Sequence, residues 1–175
     1  MQVRALSRVL GVAVFTVAMA GCATQTGRAE ADGPAAANAA TTSDSLAQTS
    51  WELTSWKNPD GSIRALTTPA GGEPIHIDFL VRQRDYRVAG FSGCNRYMGG
   101  YKLEKGRMTI TAPTSTRMAC SDAARNALEV SYMQALRKVS KFALDNAGAP
   151  RQMTFTISDG DVLTFTRRAD PSNRD

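Results

Sequence analysis

Residues 93–101 read Gly93-Cys94-Asn95-Arg96-Tyr97-Met98-Gly99-Gly100-Tyr101, and residues 115–120 read Ser115-Thr116-Arg117-Met118-Ala119-Cys120. The two cysteines bracket a segment that is rich in glycine and in residues that favour strands. Strand-like segments lie on both sides of this stretch along the chain. We therefore expect the folded part of the protein to be organised around residues 93–120.

Before this stretch, alternation of apolar and polar residues predicts three short strands. The first covers residues 51–56, and the third covers residues 84–91 and runs into the Gly93-Cys94 corner. The second, residues 75–79, alternates strictly, which places Ile75, Ile77 and Phe79 inward and His76 and Asp78 outward. Residues 64–74 contain two prolines and two glycines and are predicted to form a loop.

Within and after the stretch, Gly99-Gly100 is interpreted as a turn, and Lys105-Gly106 as the turn of a hairpin between residues 101–103 and 107–111. Ser121-Asp122 offers a helix N-cap. Apolar residues then recur at three- and four-residue steps, as on one face of a helix: Ala124, Leu128, Tyr132, Ala135, Leu136 and Val139. Residues 153–157 and 162–166 are predicted to be the last two strands. The whole pattern predicts an α+β fold in which a strongly curved antiparallel β-sheet packs with one amphipathic helix.

The paired motifs resemble the signature of the META domain, the HslJ-like family of small bacterial envelope lipoproteins. A "GCNR(Y/F)xGxY" run followed about twenty residues later by "STRMAC" is typical of that family, and both halves occur here in order. The resemblance implies the same curved-sheet fold. It also implies a role in stress or antibiotic tolerance, because members are linked to heat-shock response, antibiotic tolerance and, in some parasites, virulence. The family's biochemical activity is poorly defined.

The N-terminus is interpreted as a targeting segment. Arg4 and Arg8 precede an apolar core at about residues 9–19, which is too short to span a bilayer. Met19-Ala20-Gly21-Cys22 looks like a bacterial lipobox, so residues 1–21 are predicted to be a lipoprotein signal peptide and Cys22 the lipidated residue. A plain secretory signal is the alternative. Because Ala23 is not aspartate, analogy with enteric bacteria places the lipoprotein at the outer membrane, facing the periplasm.

The rest of the chain divides by composition. Residues 22–50 are rich in Ala, Thr, Gly and Ser and are predicted to be the lipidated cysteine and a flexible linker. Residues 51–168 are predicted to be the META domain, and residues 169–175 a frayed tail. Formal charge is +5 and falls to +3 when Arg4 and Arg8 are removed with the signal peptide. No Lys/Arg block with interleaved aromatics is present, so nucleic acid is not expected as a partner.

If Cys22 is lipidated, Cys94 and Cys120 remain as an even pair in an oxidising compartment, which favours a disulfide between them. Two buried thiols are the main alternative. A metal or redox role is the third, but the chain has no C-x-x-C motif and a single histidine, His76.

Nothing in the sequence predicts an enzyme, a cofactor or a metal site. His76 is expected to be an exposed strand residue, and no G-x-S-x-G motif is present. Asp159 and Asp161 flank Gly160 in the turn between the last two strands, but they offer too few oxygens for calcium. We therefore expect a non-catalytic protein.

Four polar residues in the motifs are candidates for a binding surface: Asn95, Arg96, Thr116 and Arg117. A structural role is the alternative, because asparagine tolerates turn conformations and a guanidinium can tie loops together. Met98, Met108, Met118, Met133 and Met153 could form an adaptable apolar groove or could pack in the core.

Three hypotheses of function follow. The leading one is a non-catalytic, lipid-anchored, monomeric protein that supports envelope integrity or stress tolerance by binding an envelope component. The second is a carrier of a hydrophobic ligand, similar to the pilot lipoproteins of secretion systems. The third is an enzyme or an enzyme inhibitor, for instance an inhibitor of a cell-wall-degrading enzyme such as lysozyme.

Overall fold

The structure is a computed structural model, and it describes residues 42–68, 72–120, 122–146 and 148–171. The described elements are α1 (Ser43–Leu46), β1 (Thr49–Lys57), β2 (His76–Arg82), β3 (Asp85–Phe91), β4 (Arg96–Glu104), β5 (Arg107–Ser115), α2 (Ala123–Arg137), β6 (Val139–Leu144), β7 (Gln152–Ile157) and β8 (Val162–Arg167). Neither of the helices in this part of the chain is long and apolar enough to cross a bilayer.

All eight strands belong to one antiparallel sheet with the order β5-β4-β3-β2-β1-β8-β7-β6. The first five strands form a meander. Helix α2 then carries the chain from edge strand β5 to the opposite edge strand β6, and β7 and β8 return it to β1. The two edge strands contact each other, so the sheet curls into a nearly closed barrel. The predicted α+β class with a strongly curved antiparallel sheet is confirmed, although the described residues contain two helices rather than one.

The concave side of the sheet is filled with large apolar side chains, as the alternation along the strands predicts. Fully buried side chains include Trp51, Trp56, Phe79, Phe155 and Phe165. Aromatic rings meet edge to face or at a tilt, with centroids 4.9 Å apart for Phe79 and Tyr101 and 5.1 Å apart for Phe155 and Phe165. Large apolar side chains therefore fill the interior of the barrel.

The folded part begins before residue 51. Leu46 of α1 is fully buried, and the Ser43 hydroxyl accepts a hydrogen bond from the Leu103 amide at 2.9 Å. Strand β1 starts at Thr49. The end of the predicted 22–50 linker is therefore part of the domain, because one leucine in a polar segment is enough to anchor it. The predicted signal peptide, Cys22 and residues 23–41 lie outside the described residues.

Gly99 and Gly100, interpreted above as a turn, lie inside β4. Strand β5 bulges opposite them, where Ala112 has a φ of +45°. A Cβ at Gly99 would lie 2.9 Å from the Thr111 carbonyl oxygen, and one at Gly100 would lie 2.6 Å from the Thr111 hydroxyl. Glycine is needed here for close approach of two strands rather than for a change of direction.

Helix α2 begins at the predicted N-cap. The Asp122 carboxylate accepts hydrogen bonds from the amides of Ala124 and Arg125. The helix buries Leu128, Glu129, Tyr132, Met133, Ala135 and Leu136. Ala124 is exposed, and Val139, predicted to extend the helical face, is the first residue of strand β6, which the sequence analysis did not predict.

Candidate functional site

The two halves of the signature meet at the start of β4. Cys94 and Cys120 form a disulfide whose Cα atoms are 5.9 Å apart. The amide of Thr116 also donates to the Arg96 carbonyl at 2.9 Å. Residues 93–97 and 115–120 are thereby held side by side, next to the N-terminus of α2.

Asn95 is the centre of this arrangement. Its side chain is buried. Its Oδ1 accepts hydrogen bonds from the Met118 amide and from the Thr116 hydroxyl, both at 2.8 Å. Its Nδ2 donates to the Met118 carbonyl at 3.2 Å and to Glu129 Oε2 at 2.9 Å. Asn95 thus forms hydrogen bonds with the second half of the signature and with helix α2, which is the structural role that the sequence leaves open for it. Thr116 has the same role through its hydroxyl.

Glu129 is a member of the site that the sequence analysis missed. It lies on α2, is only 6% exposed, and its Oε2 is 3.7 Å from Cys120 Sγ. The sequence contains one indication of its role, because Glu129 lies between Leu128 and Tyr132 and interrupts the apolar face of the helix. A carboxylate on such a face is rarely buried without specific partners.

Helix α2 is fixed to the signature by a second side chain. The Arg125 guanidinium donates to the Gly93 carbonyl from Nε at 3.0 Å and also from Nη2. Gly93 has a φ of +103°, a conformation that favours glycine. The corner before Cys94 is therefore set by backbone conformation and by a charge-assisted hydrogen bond from the helix.

Four other signature side chains face solvent, whereas Tyr97 and Tyr101 are buried in the core. Arg96 pairs with Glu73 at 2.7 Å, yet two thirds of its side chain stays accessible. Arg117 is exposed, and so are Met98 and Met118, at 57% and 70%. A shallow groove of about 250 Å³ is lined by Arg96, Tyr97, Met98, Thr114, Ser115 and Thr116. Met108, Met133 and Met153, by contrast, are buried in the core.

His76 is not the exposed residue that strand alternation predicts, because it is 1% exposed. Its Nδ1 lies 3.1 Å from the Pro74 carbonyl and 3.6 Å from Glu73 Oε1, and its Nε2 lies 3.7 Å from Asp78 Oδ2. Burial lowers the pKa of His76, against the opposing effects of the Pro74 carbonyl and of Asp78. The Ser50 hydroxyl donates to Asp78 rather than to the histidine. These three groups therefore lack the nucleophile–base–acid order of a catalytic triad.

The aspartates considered for calcium have other partners. Asp161 accepts a hydrogen bond from Trp56 Nε1 at 2.8 Å, and Asp159 pairs with Lys138 at 3.5 Å. One group of possible metal ligands occurs in the described residues: Cys94, Cys120 and Glu129, whose ligand atoms lie within 4.8 Å of one another.

Comparison with known proteins agrees with this fold. The family model of the META domain matches residues 44–170. An NMR structure of a protein from Burkholderia xenovorans is similar at 36% sequence identity and a TM-score of 0.64, covering 73% of this chain and 86% of that one. A second NMR structure, at 23% identity and a TM-score of 0.51, covers 73% of this chain and 95% of its own and shows the fold alone. No curated protein matches the chain.

Neither of these structures indicates catalytic activity, and the family match covers both halves of the signature, the disulfide and helix α2. The chain belongs to the META-domain family.

Proposed function

We propose that this protein is a non-catalytic, lipid-anchored module of the bacterial envelope that binds a protein partner through its signature surface. The signature surface is defined as Arg96, Met98, Arg117 and Met118. One observation carries the proposal: two large apolar side chains and two arginines are left exposed on two neighbouring segments, which Asn95 and the disulfide hold together.

The composition of this surface suits protein recognition. Methionine and arginine are enriched at interfaces, where methionine adapts to irregular shapes and arginine binds carboxylates in a bidentate way. The partner chemistry that fits is an acidic segment with apolar side chains. Because a disulfide holds the two segments together, less conformational entropy is lost when a partner binds.

The position of the surface supports a tethered module. Helix α1, where the described chain begins, contacts β4 near Leu103, whereas Arg96 starts the same strand. Seven residues of extended strand separate them by roughly 23 Å. The described chain therefore begins at the far end of β4 from the signature surface. In the proposed module, the lipid on Cys22 is attached through this end of the domain.

Binding inside the sheet, as a hydrophobic-ligand carrier would require, has no support in the described residues, because Trp51, Trp56 and Phe155 fill the concave side. An inhibitor of lysozyme would also use an exposed surface. If excess protein leaves lysozyme turnover unchanged, the inhibitor hypothesis is excluded and the proposed one is not affected.

The test is cross-linking and pull-down of the full lipidated protein from living cells. We compare the wild type with Arg96→Ala/Arg117→Ala, and with Lys102→Ala/Arg107→Ala as a control. The control pair removes the same charge from exposed positions at the other end of β4 and β5. We expect one stoichiometric envelope protein that is lost only in the first variant, provided that both variants keep the wild-type unfolding midpoint. Equal recovery from all three proteins would overturn the assignment of the surface, and recovery of no partner would overturn the binding role.

A further inference from the structure

A buried carboxylate lies directly beside the disulfide. Glu129 is 6% exposed, and its Oε2 is 3.7 Å from Cys120 Sγ. In the oxidised protein this sulfur has no proton to donate, so Asn95 Nδ2 is the hydrogen-bond donor that holds the Glu129 carboxylate. Burial of a carboxylate with so little compensation is costly. The arrangement therefore calls for a reason beyond packing.

We propose that reduction of the disulfide converts this cluster into a binding site for Zn²⁺ or a similar thiophilic divalent cation, with Cys94, Cys120 and Glu129 as ligands. A dithiol reductant supplies two electrons and two protons: the Sγ–Sγ bond breaks, two thiols form, and the reductant becomes a disulfide. Zinc binding then displaces the two thiol protons to solvent, and two Zn–S bonds and one Zn–O bond form. This inference does not depend on the proposed binding partner.

The distances suit such a site. Zinc–sulfur and zinc–oxygen bonds of about 2.3 and 2.0 Å in tetrahedral geometry place the two ligand atoms roughly 3.5 Å apart. Cys120 Sγ and Glu129 Oε2 already lie 3.7 Å apart, and the three ligand atoms fall within 4.8 Å. The two sulfurs must separate on reduction, which rotation of the cysteine side chains can achieve. Three protein ligands leave a fourth position for water.

The groups around the cluster are those that a thiolate site requires. Asn95 Nδ2 lies 3.5 Å from Cys94 Sγ as well as 2.9 Å from Glu129 Oε2, so one amide can orient two ligands. Its own position is fixed by the Met118 amide and the Thr116 hydroxyl. Arg125, one helical turn before Glu129, places a positive charge at the Gly93 carbonyl. The charge of the bound Zn²⁺ would offset the repulsion among two thiolates and a carboxylate, and Arg125 adds a positive charge next to Cys94.

The experiment uses the full chain in detergent with Cys22→Ser, which leaves Cys94 and Cys120 as the only cysteines. The protein is reduced with a phosphine, and Zn²⁺ binding is measured by competition with a chromogenic chelator. Co²⁺ serves as the spectroscopic probe. We expect one Zn²⁺ per reduced chain, none per oxidised chain, and Co²⁺ bands of tetrahedral thiolate coordination. Glu129→Gln should weaken Zn²⁺ binding at least tenfold, whereas Glu104→Gln, at an exposed position, should not change it.

Two results of the binding measurements would overturn the inference. One is equal Zn²⁺ binding by the reduced and oxidised chains. The other is equal affinity of the wild type and Glu129→Gln, which would also be the result if reduction unfolded the domain and the metal bound loose thiols. Near-ultraviolet circular dichroism of the buried Trp51 and Trp56 adds a separate readout: the metal-bound reduced chain should keep the spectrum of the oxidised one. Loss of that spectrum on metal binding contradicts the proposed site.

Discussion

Asn95 and Glu129, thirty-four residues apart, are joined by a 2.9 Å hydrogen bond from the amide Nδ2 to the carboxylate Oε2. This bond ties the signature to helix α2 in the interior of the protein, where both side chains are buried. The other hydrogen bonds of Asn95 tie it to Thr116 and Met118. Asn95, a buried polar residue of the signature, therefore holds its parts together.

We predict that Asn95→Ala lowers the free energy of unfolding by about 3 kcal/mol. The substitution removes the donor to a buried carboxylate and the acceptor of the Met118 amide, and each unsatisfied buried group costs about 1–3 kcal/mol. Urea unfolding followed by tryptophan fluorescence measures the change. Arg96→Ala is the matched control at the next position and should stay within about 0.5 kcal/mol of the wild type, because its ion pair is largely exposed. Equal effects of the two substitutions would contradict this account.

Most strands could be predicted from the sequence because apolar alternation is a local property. The predicted segments 51–56, 153–157 and 162–166 lie within β1, β7 and β8. Strand β6 was missed because one residue, Lys138, separates it from α2 and lets Val139 continue the helical pattern. The turn assigned to Gly99-Gly100 was wrong because the reason for glycine there is a bulge in a different strand.

The candidate site could be predicted only in part. The signature gives Cys94, Asn95 and Cys120, and the structure brings these together. The signature does not predict Glu129, because that residue lies on α2 and is brought to the site by the packing of the helix. His76 shows the same limit: alternation gives the face of a strand on which a side chain lies but not whether that face is covered. Here the face is covered, and the histidine is buried.

The disulfide should contribute strongly to stability. Replacing both cysteines, Cys94→Ala/Cys120→Ala, removes a cross-link over 26 residues and is expected to lower the free energy of unfolding by about 3–4 kcal/mol in the chain-entropy model. The oxidised wild type and the variant are compared by urea unfolding under non-reducing conditions. A single replacement, Cys94→Ala, should lose as much, since the bridge needs both sulfurs. Unchanged unfolding midpoints would show that the bridge adds little to the domain.

Gly90 is predicted to be the glycine least tolerant of substitution. A Cβ there would lie 2.1 Å from the His76 carbonyl oxygen and 2.9 Å from the Tyr97 hydroxyl. Gly90→Ala must therefore separate β2 from β3 and displace the bond from Tyr97 to the His76 carbonyl, at a cost of about 3 kcal/mol or more. Gly148→Ala is the control, because no atom lies within 4 Å of its Cβ. Thermal unfolding of the two variants should separate them by many degrees, and similar midpoints would refute the close approach.

The buried imidazole of His76 makes stability depend on pH. Burial lowers the pKa of His76 in the folded protein below its ordinary value of 6.5, while the Pro74 carbonyl, Asp78 and Glu73 act in the opposite direction and Arg168 adds to the lowering. The unfolded chain therefore binds the proton more tightly than the folded chain. Stability is complete above about pH 6.5 and declines as pH falls below that value, because protonation favours the unfolded state.

We predict that the wild type loses stability between pH 7.5 and pH 5.5, and that His76→Asn loses less. Asparagine keeps an amide N–H that can donate to the Pro74 carbonyl, but it does not titrate. Residue 76 then no longer makes the free energy of unfolding depend on pH. Urea unfolding at both pH values gives the two differences in free energy. Stopping at pH 5.5 keeps the measurement above the ordinary titration range of carboxyl groups. An equal pH dependence in both proteins would mean that groups other than His76 cause the loss of stability. If the wild type instead gained stability as pH falls, the folded state would prefer the charged imidazole, held by Asp78 and Glu73.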